Sequence, residues 1–260
     1  MNLSKYQDGF TTIQLSRDDG ILEMRLHTDG GSLQWSRTTH AELAEAFLHI
    51  AHDDENKVLI LTGSGDSFSG PSVAPGGTRR AMGDQSAAQW HGVFTEGRRL
   101  IFNLLDIEIP VIGAINGPAY RHPELPLLSD IVLASENVVI QDAAHFQGGL
   151  VPSDGVHVAF PALMGVTRAR YFLMTGQVLS AQQALDFGLV NEVLPAGQLD
   201  ARARELAEGL LLQTDLVRRY SRLILTEELK DRMRRLLGYG LALEGLAVMD
   251  GNGRQREASS

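Results

Sequence analysis

Apolar and polar residues alternate over residues 11–17 and again over 21–27, with Asp18-Asp19-Gly20 between the two runs. A two-residue period around an Asp-Gly pair predicts a β-hairpin. The period then changes. Over residues 36–52, Leu43, Ala44, Phe47, Leu48 and Ala51 recur at helical spacing, predicting a helix. A short apolar run at 58–62 ends in Gly63-Ser64-Gly65 and reads as a buried strand. Residues 67–77 have no period and are rich in Gly, Pro and Ser, as a functional loop would be. Further on, the pattern predicts a helix over 89–105, a strand over Val111–Ile115, and a Pro-bearing loop over 118–126. A helical turn at 127–129, a strand from Ile131 and a second apolar–polar run over 138–142 follow.

From Val156 the chain turns helical. Segments 156–164 and 167–175 flank Gly165, and Ser180 caps a helix closed by Gly188. After a strand at 189–194, helices are expected over 199–213, 215–227 and 229–249, followed by a frayed polar tail. The expected division is an α/β core over 1–195, a helical region over 196–250 and a flexible tail over 251–260.

Composition removes several chemistries. The 260 residues include no cysteine, so disulfides, thiolate catalysis and Cys-based zinc sites are absent. A net charge of −9 argues against a nucleic-acid or anionic-membrane surface. Lys5, Lys57 and Lys230 are the only lysines, which disfavours a lysine nucleophile. The polar N-terminus resembles no signal peptide and no run is long enough to span a membrane, so a cytoplasmic location is expected. Candidate chemistry gathers in the loops around residues 111–156: His122 and Glu124 after one strand, His145 and Asp154 after the next.

Residues 173–195, LMTGQVLSAQQALDFGLVNEVLP, resemble the crotonase (enoyl-CoA hydratase/isomerase) superfamily, as do residues 58–69 and 116–132. The resemblance spans about Phe10 to Met249 and implies a spiral of ββα units with a C-terminal helical region used for trimerisation. The departures are informative. Where the family carries a glycine run before an acid, this chain has Arg121-His122-Pro123 before Glu124; the other oxyanion loop reads Ser69-Gly70-Pro71-Ser72. Proline has no N–H to donate, so the usual thioester oxyanion hole is expected to be dismantled.

These changes resemble one branch, the β-diketone hydrolases of the 6-oxocamphor hydrolase type, with Gly31–Trp35 (GSLQW) and Arg121–Pro126 (RHPELP) as its marks. The resemblance implies Trp35 and His122 as carbonyl binders, and His145 as water-activating base held through its Nδ1–H by Asp154. Glu244 is implied as a further acid of the site and His40 as a polar neighbour. The implied substrate is a cyclic diketone, cleaved without cofactor or metal by a homotrimer or a dimer of trimers. The alternatives are a CoA-thioester crotonase and a non-catalytic trimeric scaffold. His27, His49, His52, His91 and His157 are expected to be structural.

Overall fold

The computed structural model describes residues 1–71 and 86–259, with side chains through Asp250. The loop expected over 67–77 therefore lies partly outside the described residues. The hairpin forms as expected: β1 (Ile13–Asp18) pairs antiparallel with β2 (Ile21–Leu26). Its connection uses Asp19 and Gly20, with φ of 49° and 81°. Two successive positive φ values match the right-handed twist of a hairpin, which is why Asp-Gly suits it.

From β2 the sheet grows by parallel pairing through β3 (Val58–Gly63), β4 (Val111–Ile115), β5 (Ile131–Ser135) and finally β8 (Glu192–Leu194). These strands read as continuous apolar runs because both faces are covered. On one face Leu22, Met24, Leu59 and Leu61 enter the main core with α1 (Arg37–Ala51) and α2 (Ala87–Leu105). On the other, Ile21, Val58, Ile60, Ile112 and Leu133 pack against Leu199, Ala203 and Ala207 of α7 (Leu199–Leu211). Ser36 caps α1 and Ser86 forms a capping box on α2. The buried face of α1 differs from the expected one: Ile50 is enclosed and Leu48 is exposed.

A second, thinner ladder lies outside this sheet. Gln34 bridges Gly70, Ser69 bridges Ala119 and Ala119 bridges Ile140, all parallel. Ile140 belongs to β6 (Val139–Ile140), which pairs antiparallel with β7 (Leu179–Ser180). Single bridges leave little periodic trace, so this ladder is invisible in the hydrophobic pattern.

Three helical boundaries differ from expectation. The turn after the second loop is α3 (Glu124–Leu127), starting before Leu127. α4 (Val156–Met164), α5 (Val166–Thr175) and α6 (Ala181–Asp186) stand close to their expected positions. The expected breaks at residues 228 and 250 are not seen: α8 runs unbroken from Asp215 to Ser259. Its central part is fixed from both sides. Trp90 Nε1 donates to Leu241 O at 3.0 Å, and the His157 ring meets Leu236 O at 3.0 Å. A Cβ at Gly240 would lie 2.5 Å from the His157 ring, and one at Gly245 would lie 2.2 Å from Trp90 Nε1. Glycine at these two positions lets α8 approach closely on either side of Glu244.

Candidate active site

The second ladder assembles the site. Its bridges at Gln34, Ser69–Gly70, Ala119 and Ile140 are parallel, so the chain leaves each of them in the same direction. The next residues on those exits include Trp35, His122 and Asp142. Reactive groups thus collect beyond the carboxyl ends of parallel strands, where open α/β folds place their ligands.

His122 and His145 are 8% and 3% exposed, and each ring is gripped at Nδ1. His122 Nδ1 donates to Glu124 Oε1 at 2.7 Å, and His145 Nδ1 donates to Asp142 Oδ1 at 2.7 Å. Both carboxylates are buried. The two Nε2 atoms then face one group: Asp154 Oδ2 lies 3.9 Å from His122 Nε2 and 3.6 Å from His145 Nε2. These separations exceed a direct hydrogen bond but suit a water or substrate oxygen shared between the groups.

The expected His145–Asp154 pair therefore exists with its polarity reversed. Asp142, three residues before His145 on the same strand exit, takes Nδ1–H, while Asp154 stands on the Nε2 side. The short spacing in Asp-Ala-Ala-His was the available signal for Asp142, but an i,i+3 pair reads equally well as a turn. Glu124, noted above only by its position, is the partner of His122.

Glu244 reaches the cluster from α8 and is 3% exposed. The Ser153 hydroxyl donates to Glu244 Oε2 and accepts the Asp154 N–H, at 2.6 Å for the latter. Nothing in the sequence marks Ser153. Trp35 stacks on His122, with ring centroids 3.9 Å apart and planes 24° from parallel; His40 meets the same imidazole edge-on at 5.6 Å. His122 and Asp154 take left-handed backbone, with φ of 46° and 52°. Other non-glycine residues with positive φ, Asp19 and Asp29, sit in exposed turns. Holding two site residues there costs on the order of 1–3 kcal/mol each, which the surrounding contacts must supply.

Protonation follows from these contacts. Burial lowers the pKa of both gripped histidines, but the neighbouring carboxylates overcome it: His122 is raised by Glu124 and Asp154, and His145 is raised well above 6.5 by Asp142 and Asp154. Burial opposes ionisation of Asp154, yet contact with His145 and the charge of His122 hold its pKa below the usual carboxylate range. Burial and then the Asp154 charge push Glu244 up to about 7. Burial, aided by the His122 charge, drops His40 to about 4. At neutral pH the site thus holds an ionised Asp154, a neutral His40 and a Glu244 close to half-protonated.

The family model for enoyl-CoA hydratase/isomerase matches residues 16–239. The chain belongs to the enoyl-CoA hydratase/isomerase family. Carnitinyl-CoA dehydratase of Salmonella enteritidis is 32% identical over 201 residues, covering 77% of this chain and 74% of the relative. Among solved structures, a β-diketone hydrolase of the cyanobacterium Anabaena, bound to (S)-3-oxocyclohexyl acetic acid, superposes with a TM-score of 0.89. It is 44% identical, over 96% of this chain and 99% of that one. An enoyl-CoA hydratase/isomerase of Mycobacterium paratuberculosis is 26% identical with a TM-score of 0.81, over 92% and 94% of the two chains.

Against the family pattern, one backbone amide in each oxyanion loop is committed elsewhere. Gly70 N–H donates to Leu33 O at 2.8 Å and Arg121 N–H points to Ser69 Oγ at 3.3 Å. Pro71 and Pro123 have no N–H. Ser69 Oγ in turn donates to Arg121 O at 2.6 Å, tying the loops together. Among the described residues, side chains of Trp35, His122 and His145 stand where a substrate oxygen could be met.

Proposed function

We propose that this crotonase is a cofactor-free hydrolase of non-enolisable cyclic 1,3-diketones, cleaving a C–C bond by a retro-Claisen reaction. The observation that carries this reading is the pair of carboxylate-gripped imidazoles turned on one ionised Asp154, with the Gly70 and Arg121 amides already engaged. The 44% identity to a β-diketone hydrolase supports it.

In this reading Trp35 and His122 hold one carbonyl of the diketone. His145, fixed by Asp142 with Nε2 toward Asp154, takes a proton from water, whose oxygen bonds to the other carbonyl carbon. The tetrahedral intermediate collapses: the bond between that carbon and the central carbon breaks, and its electron pair moves into the held carbonyl as an enolate. His122 meets the developing oxyanion with an N–H. Protonation at carbon, with the neutral form of Glu244 as the nearby acid, gives a keto acid. The second carbonyl of the substrate is the electron sink, so no cofactor is required. Assembly as a trimer belongs to the same proposal. Tyr220, Ile224 and Leu225 on α8 are exposed large side chains that a second subunit would cover, and sedimentation of the full chain tests this.

The deciding assay supplies bicyclo[2.2.2]octane-2,6-dione to purified protein without additives and follows diketone and keto acid by chiral gas chromatography. Turnover supports the proposal, and a skewed enantiomer ratio supports protonation from one fixed face. The dehydratase relative favours one rival, action on a CoA thioester. No turnover on a diketone panel, together with tight calorimetric binding of an acyl-CoA, would replace the first reading with that one.

A further inference from the structure

The cluster around Asp154 has a second capacity. His145 Nε2, one carboxylate oxygen of Asp154 and one of Glu244 all lie within 4.8 Å of one another. Donors sharing one ion at bonds of about 2.0–2.2 Å stand roughly 3.3–3.6 Å apart in a tetrahedral arrangement. The His145–Asp154 separation of 3.6 Å already meets that span.

Closeness alone is common among titratable groups, but here the outer contacts match those of a metal centre. A metal-bound imidazole nearly always gives its other N–H to a carboxylate or carbonyl, and ligating carboxylates are themselves hydrogen-bonded. His145 gives Nδ1–H to the buried Asp142, turning its Nε2 into the cluster. Ser153 donates to Glu244 and accepts the Asp154 N–H, holding both carboxylate carriers from one side chain. One buried nitrogen turned into the cluster makes no direct hydrogen bond among the described residues. His145 is 3% exposed and its Nε2 has no partner closer than Asp154 at 3.6 Å. Asp154 turns Oδ2 toward it, while Oδ1 faces α2, 3.1 Å from where a Cβ on Gly97 would stand. A cation between Nε2 and Oδ2 would give that nitrogen a partner. One imidazole with two carboxylates suits zinc-class ions, whereas magnesium takes oxygen donors and keeps its water.

We propose that His145, Asp154 and Glu244 bind one divalent transition-metal ion of the zinc class, and that the ion and the attacking water exclude each other. The inference uses the same cluster as the proposed hydrolase but does not depend on its substrate. Occupancy would switch the enzyme off by withdrawing the base and the proton-carrying acid together. His122, on the other side of Asp154, stays free to hold a carbonyl.

The test is calorimetric titration of zinc chloride into the chelator-treated full chain, with magnesium chloride as control. One zinc per chain is expected. Binding should be lost in His145→Ala, weakened about 10–100-fold in Asp142→Asn, and unchanged in His52→Ala, which removes a surface histidine. Cobalt(II) added to the unaltered protein should give the visible absorption of a low-coordinate ion, a readout that needs no variant to fold. Zinc should also abolish diketone turnover over the concentrations at which it binds. Absence of saturable binding, undiminished binding in a folded His145→Ala protein, equal affinity for magnesium, or activation by zinc would each overturn the proposal. Zinc binding without diketone turnover would remove the hydrolase reading and leave the metal site standing; turnover without zinc binding would do the reverse.

Discussion

His122 and His145 are alike on one side and unlike on the other. Each is buried, each gives Nδ1–H to an enclosed carboxylate at 2.7 Å, and each turns Nε2 to Asp154. Beyond that the surroundings diverge. The His122 ring is covered by Trp35 at 3.9 Å and edged by His40, on a left-handed backbone position. His145 has no aromatic neighbour among the described residues, and its open nitrogen adjoins Asp154 and Glu244. The same dyad is thus used twice. A ring stacked on one aromatic face and edged by another suits a fixed hydrogen-bond donor, while one opening onto two acids suits proton transfer. Identical local chemistry takes different work from its neighbours.

Deleting each ring tests this division most strongly. His145→Ala is expected to lower kcat by about 10²–10⁴, the usual contribution of a positioned general base. His122→Ala should cost about 10²–10³, as for loss of an oxyanion donor, with KM rising as well because the ring also holds the ground-state carbonyl. Steady-state kinetics on a diketone separates the two. A larger loss at His122, or a KM effect confined to His145, would break the comparison.

The carboxylates sharpen it. As a base, His145 must be neutral, so activity rises with pH as the imidazolium loses its proton. Asp142 and Asp154 raise its pKa well above 6.5, which places that rising limb above the ordinary histidine range. Asp142→Asn removes one of the raising charges, so the limb should move to lower pH while kcat at the plateau falls. Glu124→Gln should lower kcat without moving this limb, since Glu124 grips the other ring. A pH–rate profile read for both variants decides the matter. Equal displacement of the limb in both would show that the histidines titrate as one unit.

The two halves of the architecture were unequally legible. The hairpin, the buried strands and α1, α2 and α4–α6 announce themselves through period and caps, because dozens of apolar side chains repeat the signal. The ladder that carries the site is built from single bridges at Gln34, Gly70, Ala119 and Ile140, which impose no repeat. His122, His145 and Asp154 are marked by their loops after strands, Trp35, His40 and Glu244 by resemblance alone, and the structure brings all six together. Resemblance did not supply Asp142 or Ser153, and it reversed the role of Asp154 on the ring, because which nitrogen a carboxylate meets is decided by tertiary placement. Continuity of α8 was missed for a related reason. Its hold on Trp90 and His157 is long-range and leaves no local mark in the sequence.

Gly245 probes that hold. An added Cβ would stand 2.2 Å from Trp90 Nε1, so either the indole or the helix must move, and moving the helix moves Glu244. Alanine gains about 1 kcal/mol of helix propensity over glycine, but overpacking costs about 1–3 kcal/mol. A net loss of up to about 2 kcal/mol is expected for Gly245→Ala in denaturant unfolding. The accompanying fall in kcat should be smaller than in Glu244→Gln, because the acid is displaced and not deleted.

The smallest effect tests the face that distinguishes the two rings. Trp35→Ala removes the stacked partner of His122 while leaving the Glu124 and Asp154 contacts in place. Stacked pairs contribute about 0.5–1.5 kcal/mol beyond area burial, equivalent to roughly two- to tenfold in binding. KM should rise by about that factor, with kcat changing less. Trp35→Phe keeps an aromatic face but loses the indole N–H, so it separates the two uses of the residue. Restored KM in Trp35→Phe would mean that the stack alone matters and that His122 is the sole donor to the carbonyl. A KM as high as that of Trp35→Ala would make the indole N–H the second donor. An unchanged KM in both variants would remove the clamp as the reason for the difference between the histidines, leaving Asp154 and Glu244 beside His145 to account for it.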